Sequence, residues 1–134
     1  MPNARLLPAV LLALFLPLAP AQAQSPADII TAQIDAFREA DFETAFGFAS
    51  GNIRAIFGTP EVFGQMVTQG YPMVLDPADI LFVERRDHFG IQLQRVLITD
   101  RAGVPHLLEY SLTGTGADLR INGVRILRQT GAGV

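Results

Sequence analysis

The side chains best suited to acid–base chemistry in this chain are two histidines and two tyrosines. His106 and Tyr110 share the same parity within the alternating segment 104–112, so on a β-strand they point to one face. An imidazole on that face could act as a general base or hold a ligand. The structural alternative is a histidine that satisfies a backbone group or lies in water at a strand end.

Three further assignments complete a predicted pocket. Tyr110 could donate a hydrogen bond to a ligand oxygen, or pack in the core with an internal partner. Tyr71 stands before a proline and could line a rim, or fix the connection by packing. Asp41 is predicted to cap a helix, and a catalytic carboxylate at the inner end of that helix is the alternative. We therefore predict a ligand pocket lined by His106, Tyr110, Tyr71 and Asp41, and we assign no catalytic residue.

Missing residue types exclude several reaction classes. All ten basic residues are arginine and cysteine is absent. Schiff bases, thiol nucleophiles, thiolate zinc sites and iron–sulfur clusters need atoms that this chain lacks. Asp87 and His88 are adjacent, so on a strand they point to opposite faces, and two histidines cannot build a three-histidine zinc site. No serine lies in a nucleophile elbow. We predict no cofactor and no metal.

The charge of the chain bears on its partners. The formal net charge is −3, and no basic run or aromatic–basic interleaving is present. Nucleic acids and anionic membranes are therefore not expected as partners. The partners that remain to be considered are an apolar small molecule and a protein.

Residues 1–23 have the pattern of a cleavable signal peptide. A positively charged start precedes an apolar run, 6–19, that is shorter than the roughly 20 residues of a spanning helix. Ala21 and Ala23 are small residues at the two positions that a signal peptidase recognises, which predicts cleavage after Ala23. The alternative is a retained anchor. We expect a periplasmic or secreted protein, with residues 24–134 as a single domain and no stable membrane anchor after cleavage.

The domain divides into a helical half and a strand half. Residues 26–69 are predicted to form helices, with a break at 50–52 and a short helix ended by Gly58. Residues 79–129 are predicted to form strands. Residues 80–83 are apolar on both faces, which predicts a central strand.

The strands follow one another through short turns. Residues 100–103 are predicted to form a hairpin turn, and a bulge is predicted at Asn122–Gly123. Such strands form an antiparallel meander, one face of which the helices must cover. The predicted class is α+β, with N-terminal helices packed on a curved antiparallel sheet of about four strands, cone-like or cystatin-like.

Two pairings on the sheet are also predicted. Glu109 and Arg95 fall on neighbouring strands and could form an exposed ion pair worth about 0–1 kcal/mol. The parity of Gln92, Gln94, Val96 and Ile98 allows a semi-apolar outer face through which two copies could form a homodimer.

Residues 41–46 (DFETAF) and 48–50 (FAS) resemble the second-helix signature of nuclear-transport-factor-2-like and SnoaL-like cone domains. More specifically, the chain resembles the bacterial domain-of-unknown-function family 4864, through 70–72 (GYP), the closing 119–123 (LRING) and other matches between residues 28 and 127. That family usually carries a tryptophan at the position of Leu119. The resemblance implies a fold and an exported setting, and it implies no reaction.

Three functions are consistent with these observations. The first is an exported, non-catalytic module that binds an apolar small molecule or a protein partner. The second is a cofactor-free isomerase or dehydratase that uses His106 or a carboxylate as base and Tyr110 as oxyanion donor. The third is a homodimeric interaction domain. Many phenylalanines and few catalytic side chains favour the first.

Overall fold

The computed structural model describes residues 4–5, 8–16 and 24–129, so the predicted cleavage point after Ala23 lies outside the described residues. Four α-helices precede a four-stranded antiparallel sheet of order β1-β2-β3-β4, which confirms the predicted α+β class. Among the described residues, no helix is both long and apolar enough to cross a membrane.

Each helix is preceded by an N-cap residue, whose side chain accepts a hydrogen bond from the backbone N–H of the residue three positions later. The capping residues are Ser25, Asp41, Ser50 and Thr59. The helices are α1 (Pro26–Arg38), α2 (Phe42–Gly47), α3 (Gly51–Phe57) and α4 (Pro60–Gly70). The predicted break at 50–52 is therefore shorter than expected, because Ser50 caps α3 and the helix begins at the next residue.

The strands are β1 (Asp79–His88), β2 (Ile91–Thr99), β3 (Pro105–Thr113) and β4 (Arg120–Gln129). The predicted hairpin turn is confirmed, since the Gly103 N–H donates to the Asp100 carbonyl at 3.0 Å. The predicted bulge is confirmed as well. Ser111 pairs with Gly123, but its neighbour Leu112 pairs with Ile121, so Asn122 is the extra residue.

The prediction that residues 80–83 form a central strand is wrong, because β1 is an edge strand. Ile80 and Phe82 pack against the core, whereas Leu81 and Val83 are each 52% exposed on the other face. A strand that is apolar on both faces usually has both faces covered. Here the second face stays open.

Alternate residues of β2 and β3 face the helices and form the floor of the core. Gln94, Val96 and Ile98 are all buried there. The prediction that the outer face is formed by Gln92, Gln94, Val96 and Ile98 is therefore wrong, since their parity places them on the face that the helices cover. The outer face of β2 carries the odd-numbered residues Leu93, Arg95 and Leu97.

Phe63 joins α4 to the other three helices. Its ring centroid lies 6.1 Å from that of Phe37, 5.3 Å from that of Phe46 and 6.1 Å from that of Phe57. Burying one such side chain contributes about 1.5–3 kcal/mol. The helical layer is thus held together by aromatic packing.

The link between α2 and α3 pairs with the start of β4. The Ser50 N–H donates to the Ile121 carbonyl at 2.7 Å, and the Ile121 N–H donates to the Phe48 carbonyl at 2.9 Å. These bonds fix where α3 leaves the sheet. Beyond that point, α3 and α4 lie over β4, and a space remains between these two helices and the strand.

Candidate functional site

This space is a cavity of about 190 Å³ between the helical layer and the sheet. Its wall is mostly apolar and includes Ile53, Phe57, Phe63, Met66, Val67, Ile121 and Val124. Among these, Ile53, Phe57, Met66 and Val124 are half-buried, whereas Phe63, Val67 and Ile121 are fully buried. The cavity therefore opens between α3, α4 and the edge strand β4.

Gln33, Tyr71 and Tyr110 bring polar groups to the cavity wall. The Gln33 amide donates to the Ala45 carbonyl at 3.1 Å, and the Tyr71 hydroxyl donates to the Val124 carbonyl at 2.9 Å. The Tyr110 side chain is 1% exposed, and its hydroxyl makes no hydrogen bond to another described residue. The hydroxyl oxygen is not among the fully enclosed polar atoms that lack a partner, so it borders the cavity that Tyr110 lines.

The state of the Tyr110 hydroxyl follows from its surroundings. Burial raises the pKa of Tyr110 far above its usual value, and the nearby Tyr71 phenol raises that pKa further. The phenol is therefore protonated at physiological pH. It can donate a hydrogen bond to an acceptor placed in the cavity.

His106 lies outside the lining of this cavity. Its Nε2 is 2.9 Å from Oδ2 of Asp100, whose other oxygen accepts from the Ala102 and Val104 N–H groups of the hairpin turn. The hydrogen bond with His106 is the main cause that lowers the pKa of Asp100, and the Val104 N–H lowers it further. The Nδ1 atom of His106 is buried without a partner. The structure therefore places His106 in the hairpin.

Asp41 is exposed and caps α2, as the sequence predicts. Its two oxygens accept from Thr44, one from Oγ1 at 2.6 Å and one from the backbone N–H at 3.1 Å. The Thr44 hydroxyl and then the Thr44 N–H lower the pKa of Asp41. Asp41 does not line the cavity.

The structure thus brings two of the four predicted pocket residues, Tyr110 and Tyr71, to one cavity and leaves the other two elsewhere. Gln33 is the polar residue of the lining that the sequence analysis missed, and the apolar residues of the wall were not assigned to a pocket either. Gln33 lies on the buried face of α1, one turn after Ile29 and Ile30. A polar residue within that apolar stripe was the available signal.

Glu109 forms a second polar cluster, on the outer face of the sheet. The predicted pair is confirmed, with Arg95 Nε 3.1 Å from Oε2 of Glu109. The prediction that the pair is exposed is wrong for Glu109, which is 4% exposed because Arg95, Arg125 and Arg86 surround it. Burial acts to raise the pKa of Glu109, but the hydrogen bonds from Arg125 and Arg95 outweigh it and lower that pKa.

Metal-ligating side chains do not gather in the part of the chain that the structure describes. No group of three or more His, Cys, Asp or Glu residues lies close enough there to hold an ion. The cavity wall offers an amide and two phenols instead.

The sequence model of the family described as Domain of unknown function (DUF4864) matches residues 20–134. The match covers most of the chain, and the protein belongs to this family. No curated protein and no solved structure matches the chain. The likeness to nuclear-transport-factor-2-like cones therefore stays a prediction from sequence.

Proposed function

We propose that this DUF4864 protein is exported and binds a small, mostly apolar molecule that carries one hydrogen-bond acceptor, without catalysing a reaction. The observation that carries this proposal is the unpartnered Tyr110 hydroxyl at the wall of an apolar cavity. A ligand acceptor there gains a hydrogen bond that the protein does not itself supply, worth about 0.5–1.5 kcal/mol.

The volume limits the size of the ligand. Pockets for drug-sized molecules measure about 300–1,000 Å³. The cavity here, about 190 Å³, is closer to an apolar cavity of about 150 Å³ that admits benzene. The ligand is thus one ring or a short chain of about seven or eight non-hydrogen atoms.

The composition of the wall supports binding over acid–base catalysis. Among the described residues that line the cavity, none is a histidine, an aspartate or a glutamate. Tyr110 therefore has no base beside it, and His106 bonds to Asp100 instead. An isomerase or dehydratase needs a base within hydrogen-bond reach of its substrate.

Two observations support export. Residues 1–23 carry the charge, length and small-residue pattern of a signal peptide. The apolar residues Val10, Leu11, Leu12, Leu14, Phe15 and Leu16 are 79–93% exposed, so they contribute nothing to the core. N-terminal sequencing of the protein recovered from the periplasm or medium should begin at Gln24. Recovery of the uncleaved chain from the cytoplasm alone would contradict export.

The test of ligand binding compares two probes of equal size. Benzaldehyde carries a carbonyl acceptor, and styrene has nearly the same shape without one. We expect saturable changes in the amide NMR spectrum at the cavity wall, with benzaldehyde bound about five- to tenfold more tightly. Tyr110→Phe should make the two affinities equal. Failure of both probes to saturate contradicts the proposal.

A pair of variants on α3 controls for the location of binding. Ile53 lines the cavity near its opening, whereas Ile56 is 64% exposed on the same helix and lies outside the lining. Ile53→Trp should fill the cavity and abolish binding of benzaldehyde. Ile56→Trp should leave binding unchanged, and an equal loss in both variants would place the ligand elsewhere.

The predicted homodimer remains a second candidate. It is favoured by Leu81 and Val83, which are each 52% exposed on the outer face of β1. Size-exclusion chromatography with light scattering should then give a dimer that Leu81→Lys converts to a monomer. A monomeric wild-type protein at high concentration contradicts pairing.

A further inference from the structure

We propose a second ligand site, on the outer face of the sheet, that binds the carboxylate or phosphate group of a small anion. The site lies across the sheet from the cavity and does not depend on the function proposed above. It is built around the Glu109 cluster.

The site is a groove of about 510 Å³ across the strands. Arg86 and His88 of β1 form one side, and Arg125 of β4 forms the other. Ser111 and Gly123 are paired small residues between the two sides. A Cβ added at Gly123 would lie 3.1 Å from the Ser111 hydroxyl, so the absence of a side chain there keeps the groove open.

Glu109 holds the arginines in place. Its Oε1 accepts from Nε and Nη2 of Arg125 at 3.0 and 2.7 Å, and its Oε2 accepts from Nε of Arg95 at 3.1 Å. Such paired, charge-assisted bonds fix a guanidinium in position. The Arg125 side chain is nevertheless 65% exposed, so its remaining donors stay accessible in the groove.

Two donors in the groove make only long contacts within the protein. Arg86 approaches Glu109 only to 3.8 Å, and its guanidinium makes no hydrogen bond within the described residues. The Ser111 hydroxyl reaches the Gly123 carbonyl only at 3.5 Å, which is too long for a strong bond. An oxygen-bearing anion between Arg86 and Arg125 would satisfy these donors.

The local charge also favours an anion. The cluster contains the three arginines that contact Glu109 and two carboxylates. The second carboxylate is that of Glu84, which lies 3.4 Å from Arg95. The cluster is therefore net positive in a protein whose formal net charge is −3. Half-buried Leu93 adds an apolar patch to the groove, which suits an organic anion with a carbon body.

The test uses inorganic phosphate and succinate as probes, added to the purified protein at constant ionic strength. We expect saturable NMR shifts of the amides of Arg86, His88, Ser111 and Arg125, which line the groove and not the cavity, with at least one probe, and the probe that binds identifies phosphate or carboxylate. Tyr110→Phe should leave this affinity unchanged. Linear shifts equal to those produced by chloride would mean an adventitious ion only and would overturn the proposal.

Arg85 provides a matched control. It neighbours Arg86, is exposed, and does not line the groove. Arg86→Gln should weaken binding at least about tenfold, since a charged hydrogen bond is lost, whereas Arg85→Gln should not. Equal weakening in the two variants overturns the proposal. Should Arg86→Gln fail to fold, Ser111→Ala is expected to weaken binding about threefold or more, and no effect overturns the site.

Discussion

Tyr71 and Tyr110 reach the same cavity from opposite layers, and their hydroxyls differ in how they are satisfied. Tyr71 follows α4 and donates to the carbonyl of Val124 on the edge strand at 2.9 Å. Tyr110 lies on the central strand β3, and its hydroxyl makes no hydrogen bond to another described residue. Removing the Tyr71 hydroxyl should therefore cost more stability than removing the Tyr110 hydroxyl.

Tyr110→Phe should change the free energy of unfolding by less than about 0.5 kcal/mol in the absence of ligand, because the hydroxyl makes no hydrogen bond to another described residue. Tyr71→Phe should lower that free energy by about 1 kcal/mol, because it breaks a hydrogen bond. Urea denaturation of both variants measures the difference. Equal destabilisation would mean that the Tyr110 hydroxyl is already satisfied.

Ser50→Ala should lower the free energy of unfolding by about 1–2 kcal/mol. The Ser50 hydroxyl accepts from the Ile53 N–H at 3.2 Å and donates to Oδ1 of Asn122 at 2.8 Å, so one change breaks a helix cap and a tie to β4. Thr59→Ala is the control, since Thr59 only caps α4, and it should cost about 1 kcal/mol or less. Hydrogen exchange of the backbone amides in α3 should be faster than in the wild type for Ser50→Ala but not for Thr59→Ala. An equal loss of stability in both variants would show that the tie to Asn122 is unimportant.

Glu109→Gln should lower the free energy of unfolding at neutral pH by about 1–3 kcal/mol, less than for a fully buried pair because the arginines are partly exposed. The pKa of Glu109 is lowered in the folded state. Its ionised form therefore stabilises the fold above the unfolded-state pKa, about 4.3, and this contribution is lost as pH falls through the lower folded pKa.

The measurement for Glu109 is urea denaturation between neutral pH and pH 3. The variant should lose less stability than the wild type on acidification through that window. Glu84→Gln, which removes a carboxylate 59% exposed, should change stability by about 0.5 kcal/mol or less. A wild-type acid dependence retained in Glu109→Gln would contradict the assignment.

His106→Leu should raise the pKa of the Asp100 carboxyl towards its usual value, because the hydrogen bond from His106 is the main cause that lowers it. Carbon-13 NMR titration of the side-chain carboxyls follows this change directly. Asp41, whose pKa is lowered by Thr44, should titrate as in the wild type. A lowered Asp100 pKa stabilises the fold above the unfolded value, about 3.9, so the variant should be less sensitive to acid below that pH.

Sequence patterns predicted the elements of the fold because each depends on groups a few residues apart. Asp41 caps the helix that follows it, and Asp100 and Gly103 close the predicted turn. The bulge at Asn122 follows from the small residue beside it. The position of β1 could not be predicted in this way. A strand with apolar residues on both faces can lie at an open edge of the sheet, as β1 does, as well as at its buried centre.

By itself, the sequence determined the α+β class, the helix cap at Asp41, the meander and the family, since local hydrogen bonds and periodicity encode them. Only the tertiary structure decided that Tyr110 and Tyr71 share a cavity that His106 does not reach, and that arginines from three strands bury Glu109. Cavities and side-chain clusters depend on how distant segments pack, and a residue's neighbours in the chain do not specify the volume left between layers.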